Sequence, residues 1–226
     1  MNVDAQYSRV NSIYNKYVKR LFDIIISLVG LIIGMIPLLP FMIWVKLDSE
    51  GKVFYVQERV GRNNKVFKLY KLRSMDNVPL DENGNRRSDK DRLTKPGKIA
   101  RALSIDEIPQ FINVFKGDMS LIGPRPLILR YFPYYTEEEL NRHLVRPGMS
   151  GLAQVRGRAY MQWEERFQLD LQYVREVSFG TDVKIFFETI KKVLAKEGTS
   201  SQEKPKDLVS FDLHRKVPHN DKELIR

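Results

Sequence analysis

Twenty-two consecutive residues, Ile24 to Val45, carry no charged side chain, and Pro37 and Pro40 sit among them. A run of that length is ordinarily read as a membrane-crossing helix. A proline in a helix interior removes one backbone hydrogen bond and crowds the preceding turn. Two of them so close together predict a break around Ile36, Pro37 and Pro40. The piece before it, Ile24 to Ile36, would rise about 20 Å at roughly 1.5 Å per residue. That is short of the roughly 30 Å of a hydrocarbon core.

The flanks bear on topology. Lys16, Lys19 and Arg20 precede the run, and Lys46 and Lys52 follow it. Cytoplasmic flanks carry the excess of Lys and Arg, so both ends read as cytoplasmic. The expectation is a re-entrant helix–break–helix that dips into one leaflet and returns. The alternative is a kinked helix that spans. A buried core helix would need more of a polar face than this run has.

The net charge is +10 and the pI about 9.6, which favours anionic partners: nucleic acid, anionic lipid or phosphorylated substrates. The apolar run tips that choice toward lipid and phosphate and away from nucleic acid. There is no Cys, which excludes a disulfide, a thiolate nucleophile and a Cys-based zinc site. His143, His214 and His219 are too scattered for a metal motif. The run is too long for a secretory signal, and no small-x-small cleavage pattern follows it.

Along the chain, residues 1–18 read as a polar N-terminal lead-in, 19–47 as the re-entrant membrane anchor, 48–196 as the globular part and 197–226 as a polar C-terminal tail. Val53–Val56 and Val66–Tyr70 alternate as strands around a Gly61-Arg62-Asn63-Asn64 turn, a hairpin signal. Residues 76–97 read as a charged loop. A helix is expected over Ser104–Phe115 and an extended stretch over Ala153–Val155. Trp163, Phe167, Leu171 and Val174 share a helix face. In a last helix, Phe186, Phe187, Ile190, Val193 and Leu194 oppose Lys184, Lys191 and Lys192; that pattern suits either a helix in the membrane interface or a core-facing one. The fold class is α+β: the anchor plus a small, mainly helical cytosolic domain with a short β-hairpin and interfacial amphipathic helices.

Ser104-Ile105-Asp106-Glu107 opens the expected helix. Ser-x-x-Glu is a capping box, and acidic residues in a first turn complement the helix dipole. The other reading is chemical. Neighbouring helical residues point about 100° apart, so Asp106 and Glu107 would take distinct roles, and an ionised carboxylate is a competent nucleophile. Cations cluster at turns: Arg101 before the pair, Arg125 between Pro124 and Pro126, then Arg142, Arg146, Arg156 and Arg158 among Gly148, Gly151 and Gly157. Guanidinium forks match phosphate oxygens. Without thiols or clustered histidines, a hard cation such as magnesium, held by carboxylates and a diphosphate, is the metal such a site would take.

Taken together, these motifs resemble those of the bacterial sugar transferases, the monotopic phosphoglycosyl transferases, and most of all their small single-domain members. The resemblance runs from about Lys19 to Lys196. It is carried by Lys19-Arg20-x-x-Asp23, Gln57-Glu58-Arg59-Val60-Gly61, Phe67 to Met75, Ser104 to Gln110, Asn113 to Ser120, Gly123-Pro124-Arg125-Pro126, Arg146 to Gly151 and Ala153-Gln154-Val155. It implies that 48–196 is a catalytic domain. That domain would move a sugar-1-phosphate from a UDP-sugar, an N-acetylated amino sugar by analogy with the small members, onto polyprenol (undecaprenyl) phosphate, releasing UMP. It would work at the cytoplasmic face of a bacterial inner membrane, with inner-membrane lipid as its surroundings and Mg2+ as cofactor. The resemblance makes Asp106 the nucleophile, gives Glu107 a part in magnesium or proton handling, associates Pro124-Arg125-Pro126 with the nucleotide, and puts Lys71, Arg101 and Arg146 among the substrate contacts. Two departures stand out. Family members usually break the anchor at Ser-Pro, where this chain has Met35-Ile36 and then Pro37. The later motif has Leu152 and Arg156 where Trp and Asn are usual. A glycosyltransferase releasing UDP, or a basic membrane-tethered adaptor without activity, are the alternatives.

Overall fold

The computed structural model describes residues 3–195 except 83, 86 and 158–160, and beyond them 210–215, 217–219 and 224. Helix α1 (Val3–Gln6), a 3-10 turn and a π turn lead into α2 (Lys19–Asp48), which contains the whole apolar run. Among the described residues this is the one helix long and apolar enough to cross a membrane. It corrects one expectation. Helical structure does not stop at Ile36, Pro37 or Pro40: both prolines lie inside the element. Each removes its own N–H, the donor to Ile33 or Ile36, and crowds the preceding turn, which bends a helix without having to end it.

One stripe of α2 faces protein. Lys19, Asp23, Ser27, Leu38 and Val45 are buried, and Gly30 and Gly34 continue the same line at helical steps. A Cβ on Gly30 would stand 2.8 Å from the Phe111 ring, and one on Gly34 2.7 Å from Ile108 Cγ2. The glycines therefore let the anchor lie against the domain at close range. The opposite face, with Ile25, Ile32, Ile33, Ile36 and Ile43, is exposed.

The hairpin forms as expected. Strands β1 (Phe54–Val60) and β2 (Val66–Leu72) pair antiparallel from Phe54↔Leu72 to Val60↔Val66. Asn63 and Asn64 adopt φ of 54° and 60° in the turn, a left-handed conformation that Asn tolerates. The charged loop ends at Thr94, whose side chain accepts from Gly97 N–H to cap α3 (Lys95–Ala102). The helix expected over Ser104–Phe115 does not form as one piece. Residues Ile105–Glu107 make a 3-10 turn, and α4 (Gln110–Lys116) starts only after Pro109.

A second sheet was not expected. Strands β3 (Ser120–Ile122) and β4 (Gly148–Ser150) pair parallel. Their backbones are pressed together: a Cβ on Gly148 would lie 2.1 Å from Gly123 N, and one on Gly151 2.1 Å from Gly123 O. These glycines serve chain-to-chain contact. Helix α5 (Glu137–Leu140) follows a complete capping box of Thr136 and Glu139. The stretch around Ala153–Val155 is not extended but helical, as α6 (Leu152–Arg156). In α7 (Trp163–Glu176), Phe167, Leu171 and Val174 are buried, as their spacing predicts. In α8 (Phe179–Leu194) only Ile185 of the apolar side chains is buried, and Phe187, Val193 and Leu194 stand exposed. Part of the expected polar tail is folded too. Helix α9 (Phe211–Arg215) inserts Phe211, fully buried, among Tyr131, Tyr135, Trp163 and Phe167.

The domain grips both ends of α2. Lys19 pairs with Asp182 of α8, and Asp23 accepts from Ser120 Oγ and Leu121 N–H, both at 2.9 Å. At the far end Arg73 donates to the carbonyls of Val45 and Ser49. Tyr7 and Val10, ahead of the anchor, sit in one core with Ile122, Val145 and Tyr173.

Candidate active site

The site is built on the 3-10 turn between α3 and α4. Ser104, which enters it, has φ of 56°, a conformation unusual for a residue with a side chain. From there it cannot act as an N-cap, which needs extended backbone, and no side-chain cap bond forms. The capping reading of Ser104-x-x-Glu107 is thereby removed. The Glu107 side chain points elsewhere: it accepts from Lys71 Nζ at 2.9 Å and from Arg125 Nη2 at 2.6 Å. Lys71 arrives on β2, and Arg125 on the loop after β3.

The two carboxylates occupy opposite electrostatic situations. Asp106 is 7% exposed, and among the described residues none hydrogen-bonds its carboxylate. Burial, and next the charge of Glu107, push its pKa above the usual aspartate value; Lys71, Arg101 and Arg125 pull the other way without winning. Burial acts on Glu107 in the same sense, but there Arg125 and Lys71 overrule it and hold the carboxyl well below the usual range. Glu107 in turn raises the Arg125 pKa. The result is a buried carboxylate with free lone pairs beside a neutralised one. The expectation that Asp106 sits in the first turn of a helix and complements its dipole gives way to this arrangement.

The loop carrying Arg125 is fixed at three successive carbonyls. Pro124 O accepts from Gly148 N–H at 3.0 Å, Arg125 O from Arg142 Nη2 at 2.7 Å, and Pro126 O from Arg59 Nη1 at 3.2 Å. The Arg125 side chain itself stays 41% exposed. Arg101 donates through Nε to Ser74 Oγ at 2.9 Å. It is held there because Gly97 brings α3 into backbone contact with Ser74.

The structure thus gathers Lys71, Arg101, Asp106, Glu107 and Arg125, with Pro124 and Pro126 as shoulders. It places Arg146 differently: its Nε donates to Gly117 O at the C-terminus of α4, where Arg20 also donates to Val114 O and Phe115 O. Arg142 is a buried partner of Asp170, not an open phosphate ligand. Arg158 lies outside the described residues. Sequence reasoning overlooked Asn113 as a positioning residue. Fully buried, its amide donates to Lys68 O and accepts from Tyr70 N–H, tying α4 to β2 and so the acidic turn to Lys71. The signal was a polar residue inside Phe111-Ile112-Asn113-Val114-Phe115.

Among the described residues no three acidic or His side chains converge as a metal cage. Asp106 and Glu107 nonetheless suit a hard cation, since magnesium is commonly held by one or two carboxylates plus substrate phosphates, and the Asp106 oxygens are free. A buried carboxylate without a hydrogen-bond partner, ringed by three cations on a domain bound to an apolar helix, suits an enzyme acting on phosphoryl groups.

Comparison with known proteins gives that class a family. The model described as bacterial sugar transferase matches residues 14–196, and the chain belongs to that family. It is 46% identical over 180 residues to the uncharacterized sugar transferase EpsL of Bacillus subtilis, covering 80% of this chain and 89% of that protein. It is 40% identical over 185 residues to a UDP-N-acetylgalactosamine-undecaprenyl-phosphate N-acetylgalactosaminephosphotransferase of Aeromonas hydrophila, covering 79% of this chain and 44% of that one. It is 37% identical over 187 residues to the UDP-glucose:undecaprenyl-phosphate glucose-1-phosphate transferase of Escherichia coli, covering 79% and 40%. The chain thus spans less than half the length of the latter two.

Proposed function

We propose that this enzyme transfers a sugar-1-phosphate from a UDP-sugar to polyprenol (undecaprenyl) phosphate and releases UMP. The observation that carries the reading is the unpartnered, buried Asp106 next to the doubly clamped Glu107. In the first step an Asp106 oxygen attacks the phosphorus that bears the sugar. The bond from that phosphorus to the bridging oxygen breaks, and UMP leaves with the electron pair. In the second step a phosphate oxygen of the polyprenol phosphate attacks the same phosphorus, and the Asp106 carboxylate departs. Lys71 and Arg101 offset the negative charge that develops on the phosphoryl oxygens, and Arg125, between Pro124 and Pro126, binds the nucleotide end of the donor. Glu107 holds Arg125 and Lys71 in place. Magnesium, bound by Asp106 and Glu107 with the diphosphate, would supply further charge neutralisation. Dividing the transfer lets a soluble donor and a lipid acceptor use one site in turn.

The donor sugar is an N-acetylated amino sugar in this reading. It is supported by the N-acetylgalactosamine in the name of the Aeromonas relative. The glycosyl-phosphate lipid would start a surface glycan or a protein-linked one. The anchor enters and leaves the cytoplasmic leaflet of the bacterial inner membrane without crossing it. That topology is supported by the domain's hold on both Lys19 and Val45 and by the burial of Tyr7 and Val10 in the domain core. A spanning helix would carry one of those ends away.

The test is a UDP-sugar panel scored for the nucleotide released, together with peptide mass analysis of enzyme quenched before acceptor is added. UMP release and a phospho-sugar mass on the peptide containing Asp106 are expected. UDP release would instead favour a transferase that moves the sugar alone.

A further inference from the structure

The family match ends at residue 196, yet α9 lies beyond it and is wedged into the domain. From the reaction proposed above, which gives Arg125 a nucleotide-side role, we infer that the C-terminal segment around Phe211 is a positioning device for Arg125. A continuous set of contacts connects them. The Phe211 ring lies 5.6 Å from that of Tyr135 and 5.0 Å from that of Phe167. The Arg142 guanidinium sits over both of those rings, at 5.8 Å and 5.7 Å. It is oriented by Asp170 at 2.7 Å and donates to Arg125 O at 2.7 Å. Arg125 then reaches Glu107.

Phe211 therefore closes the aromatic box in which Arg142 is held, and Arg142 fixes the backbone from which Arg125 projects. The segment is fastened from outside as well. Arg215 pairs with Glu139, Asp212 with Arg130, and His219 N–H donates to Pro133 O at 2.8 Å. With Phe211 withdrawn, the box would open to water on one side, and the Arg142–Arg125 bond would compete with solvent.

Only the donor side of the reaction should respond. Phe211→Ala is expected to weaken UMP binding, measured by calorimetry on the detergent-solubilised full chain, by about tenfold, the scale of coupling through packed side chains. KM for the UDP-sugar should rise in step, while kcat changes much less. Phe211→Leu, which keeps most of the volume, should recover most of the loss. Leu213→Ala, on the exposed side of the same helix, should bind UMP as the unaltered enzyme does. If Phe211→Ala does not fold, Arg215→Met removes the pairing with Glu139 and the cation over the Phe211 ring while leaving the ring itself in the box, and should give the same pattern. A lower melting temperature with unchanged UMP affinity and KM would reduce the segment to a mere fastener and overturn the inference. Failure of the unaltered enzyme to bind UMP or turn over any UDP-sugar would overturn the proposed function itself, and this inference with it.

Discussion

Gly34 and Ile108 meet at the point where the membrane helix touches the acidic turn: a Cβ on the glycine would lie 2.7 Å from Cγ2 of the isoleucine. Ile108 directly follows Glu107, so this contact adjoins the acidic turn. Gly34→Leu should force α2 away from α4. Overpacking of this kind costs about 1–3 kcal/mol, and the displaced turn should lower kcat/KM by about tenfold or more. Activity and thermal stability measured in one detergent would check it; wild-type values for both would refute the close packing.

Asp106→Asn should abolish turnover and the covalent adduct, yet raise thermal stability. The sign follows from the raised pKa of Asp106. A carboxyl that binds its proton more tightly when folded contributes stability below its ordinary pKa and loses it as pH rises through the folded value. At neutral pH the buried charge is therefore a burden, and the amide relieves it. Melting temperature should rise by roughly 2–4 °C for each kcal/mol recovered. Circular dichroism melts at pH 7 would check this.

Glu107→Gln leaves Lys71 and Arg125 without their carboxylate. Loss of hydrogen bonds to a charged group, about 1.5–3 kcal/mol, corresponds to a fall of roughly 10- to 100-fold in kcat/KM. It also removes a charge that raises the Asp106 pKa, so the acid limb of the pH profile should move to lower pH. Glu107 itself, with its depressed pKa, contributes stability above the ordinary glutamate range and loses it as pH falls through the folded value. A pH series of kcat/KM for both proteins separates the two carboxyls; an acid limb that stays in place would show that Asp106 does not set it.

Ser8→Cys tests the anchor's topology in a chain without native Cys. Ser8 is exposed, while its neighbours Tyr7 and Val10 are buried in the domain. A membrane-impermeant maleimide should label it in inverted vesicles and not in intact cells. Labelling of intact cells would show that the helix spans.

Much of this architecture was legible from local pattern. The apolar run, the Gly61–Asn64 turn and the Phe167-Leu171-Val174 face each depend on neighbouring residues alone. The acidic turn was harder. Ser104-Ile105-Asp106-Glu107 satisfies a capping pattern, and only Pro109 hints that the helix begins later. The β3–β4 pair was missed because its two short strands are far apart in sequence, and because glycines usually read as turns are there to permit backbone contact. Arg125 was recognisable from its two prolines. That Arg142 and Arg146 brace the chain, and do not stand beside the acidic pair as Arg125 does, depends on Asp170 and Gly117, partners no local window contains.

The glycine-lined stripe of α2 also determines what can be removed. An enzyme trimmed of its hydrophobic segment to make it water-soluble would lose the surface against which Ile105, Ile108 and Phe111 rest. The apolar helix is thus part of the framework behind the acidic turn, and purification or inhibitor screening calls for the whole chain in a lipid mimetic.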